Sequence, residues 1–416
     1  HVILACEVIW LYNILKPQFI DVEEHVSTND LLLHRYVVNY IGKYVNAISP
    51  FDFFLPGLNT GFPLVSHYQH LPHVIVGVCN SFYSKINADI AILVLLSTIP
   101  FPIYFGCRKL GFNTISSIFM ALLLPIINDH PPLQNRQQGI QYSYGIGINS
   151  QTHNGHGLFS QLLAIYLFIP GLGVAYTTIV NADRCTWRTN ISNILSASTL
   201  ISAIVLSNIF YGYMVLGSLC ILEVIVVTMQ LCSLVSSKGV RFLFHNFYGK
   251  PKLNSFTHFA SIILAVALMI SYFVIPFLKN RYVVNEIEHR KWKFDSVGWN
   301  FLYTKFVDGN LLDYGFDHNI ITNFTFVGLI ICFIKVLAHV VKARGSSTQY
   351  SIKGIVLYIW ILASFSFWAI MFAGPNFLND YPLVLQVLPF SSSLHFHRFI
   401  SGMQIFAVFA SGIVEC

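Results

Sequence analysis

Charge is scarce in this chain. Only 10% of its 416 residues are Asp, Glu, Lys or Arg, against about a quarter in a soluble globular domain. That shortage, with 55% hydrophobic residues and a mean hydropathy of +0.62, excludes an ordinary water-soluble fold and places the chain among polytopic membrane proteins. The 24 basic residues never gather into one dense patch, so a nucleic-acid partner is excluded as well. Vicinal cysteine motifs are absent: the eight cysteines contain no CxxC, which argues against a disulfide framework or a thiolate metal site. Cys107, Cys185, Cys220, Cys232 and Cys332 lie in or beside apolar runs and read as small buried hydrophobes. No GxGxxG or GK[ST] occurs, so a nucleotide-binding loop has no support.

What is present is a series of apolar runs, rich in the 36 Phe and 21 Tyr that suit lipid contact and interfacial belts. Crossing about 30 Å of hydrocarbon takes about 20 apolar residues. Runs at 1–15, 87–105, 113–127, 155–180, 191–209, 213–235, 256–278, 320–340, 353–373 and 399–416 are the expected spans. The fold class expected is all-α: a polytopic transmembrane helix bundle of about ten spans, forming a single integral membrane domain over 1–416.

Charge sets the orientation. If 106–112, 181–190, 236–255 and 341–353 face the cytoplasm, they hold Arg108, Lys109, Arg184, Arg188, Lys238, Arg241, Lys250, Lys252, Lys342, Arg344 and Lys353, with Asp183 as the only acid. The other side then receives 16–86, 128–154, 279–319 and 374–398. It also receives His25, His34, His67, His70, His73, His130, His153, His156, His289, His318, His395 and His397. Polar chemistry is therefore expected on that external face. Within the first external segment, 16–86, residues 26–48 have a helical period, and 71–83 are too short to span and read as a re-entrant or interfacial helix. The segment 279–319 mixes charges with Trp292, Trp299 and Tyr303 and reads as an external cap.

Four polar constellations carry the candidate chemistry. In DVEEH, Asp21 and His25 are four apart and would share a helical face, a geometry for joint metal ligation or an Asp-to-His hydrogen bond; a solvated helix end is the plainer reading. The turn-rich stretch FDFFLPGLNTGFPLVSHYQHLPH holds Tyr68 and His67, His70 and His73, whose spacing of three suits substrate contact, local hydrogen bonding or, less well because of Pro72, a metal. The loop 128–156 contains Asp129, Tyr144, Gln151 and His153 among glycines, material for gripping a sugar or for a plain ordered loop. Finally His395, His397 and Arg398 precede the last run. Arg398 stands on the external edge, where its planar guanidinium would suit a phosphate, or would snorkel.

An acid-bearing D…H segment after a first span, then Gly61, Pro63 and Tyr68 in LNTGFPLVSHY, then Arg398 and Phe399 after the Pro389 loop, resemble the polytopic GT-C superfamily. Within it the pattern is most similar to membrane proteins labelled as having a 6-pyruvoyl-tetrahydropterin-synthase-related domain, and to YfhO-like proteins. The resemblance implies a GT-C-like bundle in the plasma membrane of a prokaryote, transferring a sugar from a polyprenyl-phosphate donor at the external face. It implies Asp21 as base or metal ligand, Asp129 as a second acid, Arg398 on the lipid phosphate, and a divalent cation (Mg or Mn) on Asp21 and His25. The chain departs from the family in lacking a D-x-D or E-x-D in its first loop and in its extra histidines. The alternative is a non-catalytic structural or accessory subunit, with complex partners and membrane lipids around it.

Overall fold

The computed structural model describes residues 1–20, 31–45, 54–55, 62–63, 69–128, 133–135, 140–142, 145–148, 159–182, 187–235, 254–279, 298–345, 352–374 and 395–414. In chain order these form α1 (Val2–Phe19), α2 (Leu31–Tyr44), β1 (Phe54–Leu55), β2 (Phe62–Pro63), α3 (Leu71–Phe82), α4 (Ala88–Thr98), α5 (Pro100–Leu110) and α6 (Thr114–Ile126). There follow β3 (Leu133–Asn135), β4 (Ile140–Tyr142), α7 (Phe159–Val180), α8 (Trp187–Ser207), α9 (Ile209–Val235) and α10 (Asn254–Lys279). The last are α11 (Gly298–Val307), α12 (Ile320–Gly345), α13 (Ile352–Ala373), a 3-10 turn (Phe396–Phe399) and α14 (Ile400–Ile413).

The chain is an all-α polytopic bundle of an integral membrane protein. Two short antiparallel ladders, β1 with β2 and β3 with β4, interrupt the rim segments and were not expected. Among the described residues seven helices are long and apolar enough to cross a membrane, or eight if α4 and α5, bent by 45° at Pro100, make one broken span. The expected count of about ten is too high for a physical reason. Runs 113–127 and 399–416 give α6 and α14, of 13 and 14 residues, about 20 Å each at 1.5 Å per residue. They are apolar because protein surrounds them: every residue of α14 is buried, and Met120, Ala121 and Leu124 of α6 lie in the same core.

Local signals fix the turns. Gly111 adopts φ +100, closing α5 with Phe112 N–H on the Cys107 carbonyl at 3.2 Å. Asn113 then caps α6, its side chain accepting from Ser116 N–H. Asn208 Oδ1 does the same for α9, accepting from Phe210 N–H at 3.0 Å. Trp360 and Trp368 of α13 are fully buried, and both use Ser218 of α9: Trp360 Nε1–H donates to its carbonyl at 2.7 Å and Trp368 Nε1–H to its hydroxyl at 3.0 Å. With no water in the core, this keeps both indoles satisfied. Cys107 and Cys332 are buried as expected, whereas Cys220 is exposed on the outside of α9.

Helices α5 and α7 meet backbone to backbone. A Cβ on Gly173 would stand 2.6 Å from the Gly106 carbonyl oxygen, and one on Gly106 would stand 2.6 Å from the Ile169 carbonyl carbon. Close approach through small residues is how membrane helices pack without a hydrophobic driving force between them. Gly173→Val is therefore expected to destabilise the bundle by about 2 kcal/mol or more. Thermal unfolding in detergent reads this, and an unchanged midpoint would contradict it.

Candidate functional site: a polar rim at one end of the bundle

Polar side chains collect where the ends of several helices meet. Asn128, just after α6, hydrogen-bonds across to the segment before α12: its N–H donates to Leu312 O at 3.0 Å, and its carbonyl accepts from Tyr314 N–H at 3.0 Å. Gln404, near the start of α14, bridges two rim segments, accepting from Ile146 N–H at 2.9 Å and donating to Leu311 O at 3.0 Å. Asn128, Ile146, the 311–314 segment and the start of α14 thus share one end, as the charge pattern predicts. Asp313 is not free for chemistry there. Its carboxylate caps α12, accepting from Ile321 N–H (2.9 Å), Thr322 N–H (2.8 Å) and the Thr322 hydroxyl (2.7 Å).

The glycine-rich run also has a structural use. Gly145, Ile146 and Gly147 are buried, and a Cβ on Gly147 would collide with the Ile127 carbonyl. With the Ile146 N–H committed to Gln404, Gly145, Ile146 and Gly147 form a close-packed turn.

The first polar group hangs on α2 and α3. The apolar stripe of α2, Leu31, His34, Val37, Val38 and Ile41, faces inward and takes His34 with it. His34 Nδ1 and His73 Nε2 lie 2.7 Å apart, both rings fully buried, and both meet the edge of Phe159 at the start of α7. Pro72 lies in the first turn of α3 and does not break it, and His70 sits at the N-cap, outside the helix. There His70 Nε2 meets the Tyr272 hydroxyl of α10 at 2.9 Å. His70 and His73 therefore point to different partners and do not present one helical face. One residue along from His34, Arg35 grips Asp89 in the first turn of α4 through Nε (2.9 Å to Oδ2) and Nη2 (2.8 Å to Oδ1).

The second group surrounds the 3-10 turn. The Arg398 guanidinium lies over the Phe210 ring at 5.0 Å, and the edge of His395 meets that same ring at 5.2 Å. His397 is buried beside His395, with ring centroids 5.7 Å apart. Phe399 stacks on Trp368 at 5.4 Å and fixes the turn to α13. A planar cation resting on an aromatic face can present its outer N–H groups to an anion.

Of the expected site residues, His70, His73, His397 and Arg398 are described and stand at this end, in these two groups. Asp21, His25, His67, Tyr68, Asp129, Gln151 and His153 lie outside the described residues. Among the described residues no three His, Cys, Asp or Glu side chains are placed to hold a metal. Sequence reading missed His34, Arg35 with Asp89, Phe159 and Tyr272 as members of the rim. The i, i+3, i+4, i+7 stripe of α2 carried the signal for His34; nothing local pointed to Tyr272, which comes from a helix 200 residues away.

No family model matches the chain, and no curated protein matches it. Solved structures do. The apo oligosaccharyltransferase of Archaeoglobus fulgidus superposes with a TM-score of 0.51 at 12% identity, over 99% of this chain and 50% of that one. The same organism's oligosaccharyltransferase AglB, solved with an inhibitory peptide and a dolichol-phosphate, matches with a TM-score of 0.48 at 12% identity, over 99% and 50%. The chain spans about half the length of these proteins. The likeness is one of fold: an all-α membrane bundle similar to the GT-C fold of that enzyme.

Burial holds His34 and His73 neutral. The His34 imidazole is pushed down to about 4 by desolvation. His73 lies well below the usual histidine range through burial, then the neighbouring His34 and His70, with a hydrogen bond to the Gln69 backbone opposing. Unfolding releases these rings to protonate near pH 6.5, so the unfolded state binds more protons between about pH 6.5 and 4. Stability is expected to be full above pH 6.5 and to fall as pH drops through that window, by about 3 kcal/mol for His34. Unfolding midpoints from pH 7.5 to 4.5 read this; His34→Gln should remove part of the slope, and an identical slope in the variant would contradict the assignment.

Proposed function

We propose that the chain is a glycosyltransferase-like membrane protein that transfers a sugar from a polyprenyl-phosphate donor at the external membrane face, in the plasma membrane of a prokaryote. The observation that supports this reading most is the polar rim: imidazoles, a phosphate-compatible arginine and buried amides at one end of a bundle whose fold is similar to that of an oligosaccharyltransferase. A donor whose tail stays in the bilayer has to react at the membrane surface, and such a rim is the matching location.

In this reading Arg398, held over the Phe210 ring, neutralises the leaving lipid phosphate through its N–H fork. Asp21 or Asp129 takes the proton of the acceptor hydroxyl, a role that needs the carboxylate within about 3 Å. Asp21 with His25 are the candidate ligands for a divalent cation, Mg or Mn, which when bound would add positive charge beside the phosphate. His67, Tyr68, Gln151 and His153 are the candidate sugar or acceptor contacts. His70 and His73 take a positioning role, because their rings are committed to Tyr272 and His34.

Reconstituted protein supplied with polyprenyl-phosphate sugars tests the proposal. Transfer by wild type is expected, with Asp21→Asn slowing it by roughly 100-fold or more. Arg398→Lys should weaken donor use, since a point charge loses the bidentate fork. Equal rates for wild type and Asp21→Asn would remove that residue. No transfer from any donor would favour the accessory-subunit reading.

A further inference from the structure

Helices α2 and α3 run in parallel. His34 meets His73, a Cβ on Gly77 would stand 2.5 Å from Ile41, and one on Gly42 would strike the Asn80 side chain, so partners advance together along both helices. Their C-terminal ends therefore lie side by side. The α2 end carries a row of tyrosines one turn apart, with Tyr36 and Tyr40 ring centroids at 6.1 Å and Tyr40 and Tyr44 at 4.7 Å. Lys43 Nζ sits 5.2 Å from the Tyr44 ring. The α3 end carries Phe82 at 86% and Tyr83 at 55% exposure, followed by exposed Ser84 and Lys85.

Exposed Phe82 and Tyr83 beside lysines on a water-facing tip would be costly, and the next element points to what covers them. The bent pair α4 and α5, apolar enough together to enter the membrane, begins at Ala88, three residues after Lys85, which allows a separation of about 10 Å at most. The tip is thus tethered to the membrane surface. Positions 31–45 and 71–88 contain no Asp or Glu, and Arg35 is paired with Asp89, so the remaining charged side chains of these stretches are Lys43 and Lys85, both positive.

We propose that this paired tip, Tyr40, Lys43 and Tyr44 with Phe82, Tyr83 and Lys85, docks on the headgroup layer of the bilayer, with the rings at the acyl boundary and the lysines on lipid phosphates. The occupant is an anionic lipid surface, and the inference does not depend on sugar transfer. Lipid binding here fixes α2 and α3, and with them the His34, His73 and Arg35 contacts of the rim.

The test places Tyr83→Trp in nanodiscs of phosphatidylcholine with increasing phosphatidylglycerol. The added emission, taken as the difference from the parent, is expected to shift to the blue and to be quenched by lipids brominated near the headgroup. The phosphatidylglycerol fraction needed for half the effect should rise about fivefold in Lys85→Gln, one lysine's share of the attraction. An indole reached by aqueous acrylamide and untouched by bromolipid overturns the proposal. So does a shift that appears only with added oligosaccharide, or only on self-association. Should Tyr83→Trp unfold, judged by its thermal midpoint, a solvent-sensitive fluorophore on Ser84→Cys gives the same readout.

Discussion

Hydrocarbon offers no water, so every polar group in this chain has to be satisfied inside the protein or moved to a helix end. The fold is organised by that requirement. Some polar atoms deep in the bundle are bracketed, as Ser218 is by two indoles, or Thr325 by Ser411 at 3.0 Å, whereas the Ser207 and Ser364 hydroxyls meet no partner among the described residues. One end of the bundle collects imidazoles, amides and paired charges. Asp313, Gln404 and Asn128 lock that end together, and α2 and α3 are fastened to it through His34, Arg35 and His70.

The two short helices show how packing and the bilayer divide the work. Helices α6 and α14 are too short for the hydrocarbon, yet α14 is the most deeply buried element described. Gly328 of α12 and Gly412 of α14 admit Ala410 and Met120 at distances no side chain would allow. By contrast α10 and α12 expose Leu264, Leu268, Ile275, Phe333, Ile334 and Val341, the outer surface of a bundle in lipid. Long exposed helices thus surround short dry ones, and the rim stands on the ends of both.

Much of this was legible in the sequence. Apolar runs located all eight candidate spans, charge asymmetry grouped the segments that Gln404 and Asn128 join, and the period of 26–48 gave a helix where α2 stands. Length alone was misleading at 113–127 and 399–416, because a run buried in protein and a run buried in lipid have the same composition. The HYQHLPH spacing misled too: a proline that reads as a breaker is favourable in a helix's first turn, which separates His70 from His73. Arg398 was singled out by its position against the charge pattern, but its seat on Phe210 depends on the Asn208 cap of a helix nearly 190 residues earlier. The pairing of His70 with Tyr272 has the same origin in long-range packing, which no local pattern encodes.

The central claim is that these groups share one side of a membrane. Single cysteines at Ser84, Asp317 and Thr189, introduced after replacing the native cysteines, probe it with an impermeant maleimide applied to sealed, oriented vesicles. Ser84→Cys and Asp317→Cys should react from the same side, and Thr189→Cys, at the far end of α8, only from the other. Labelling of positions 84 and 317 from opposite sides would contradict the account.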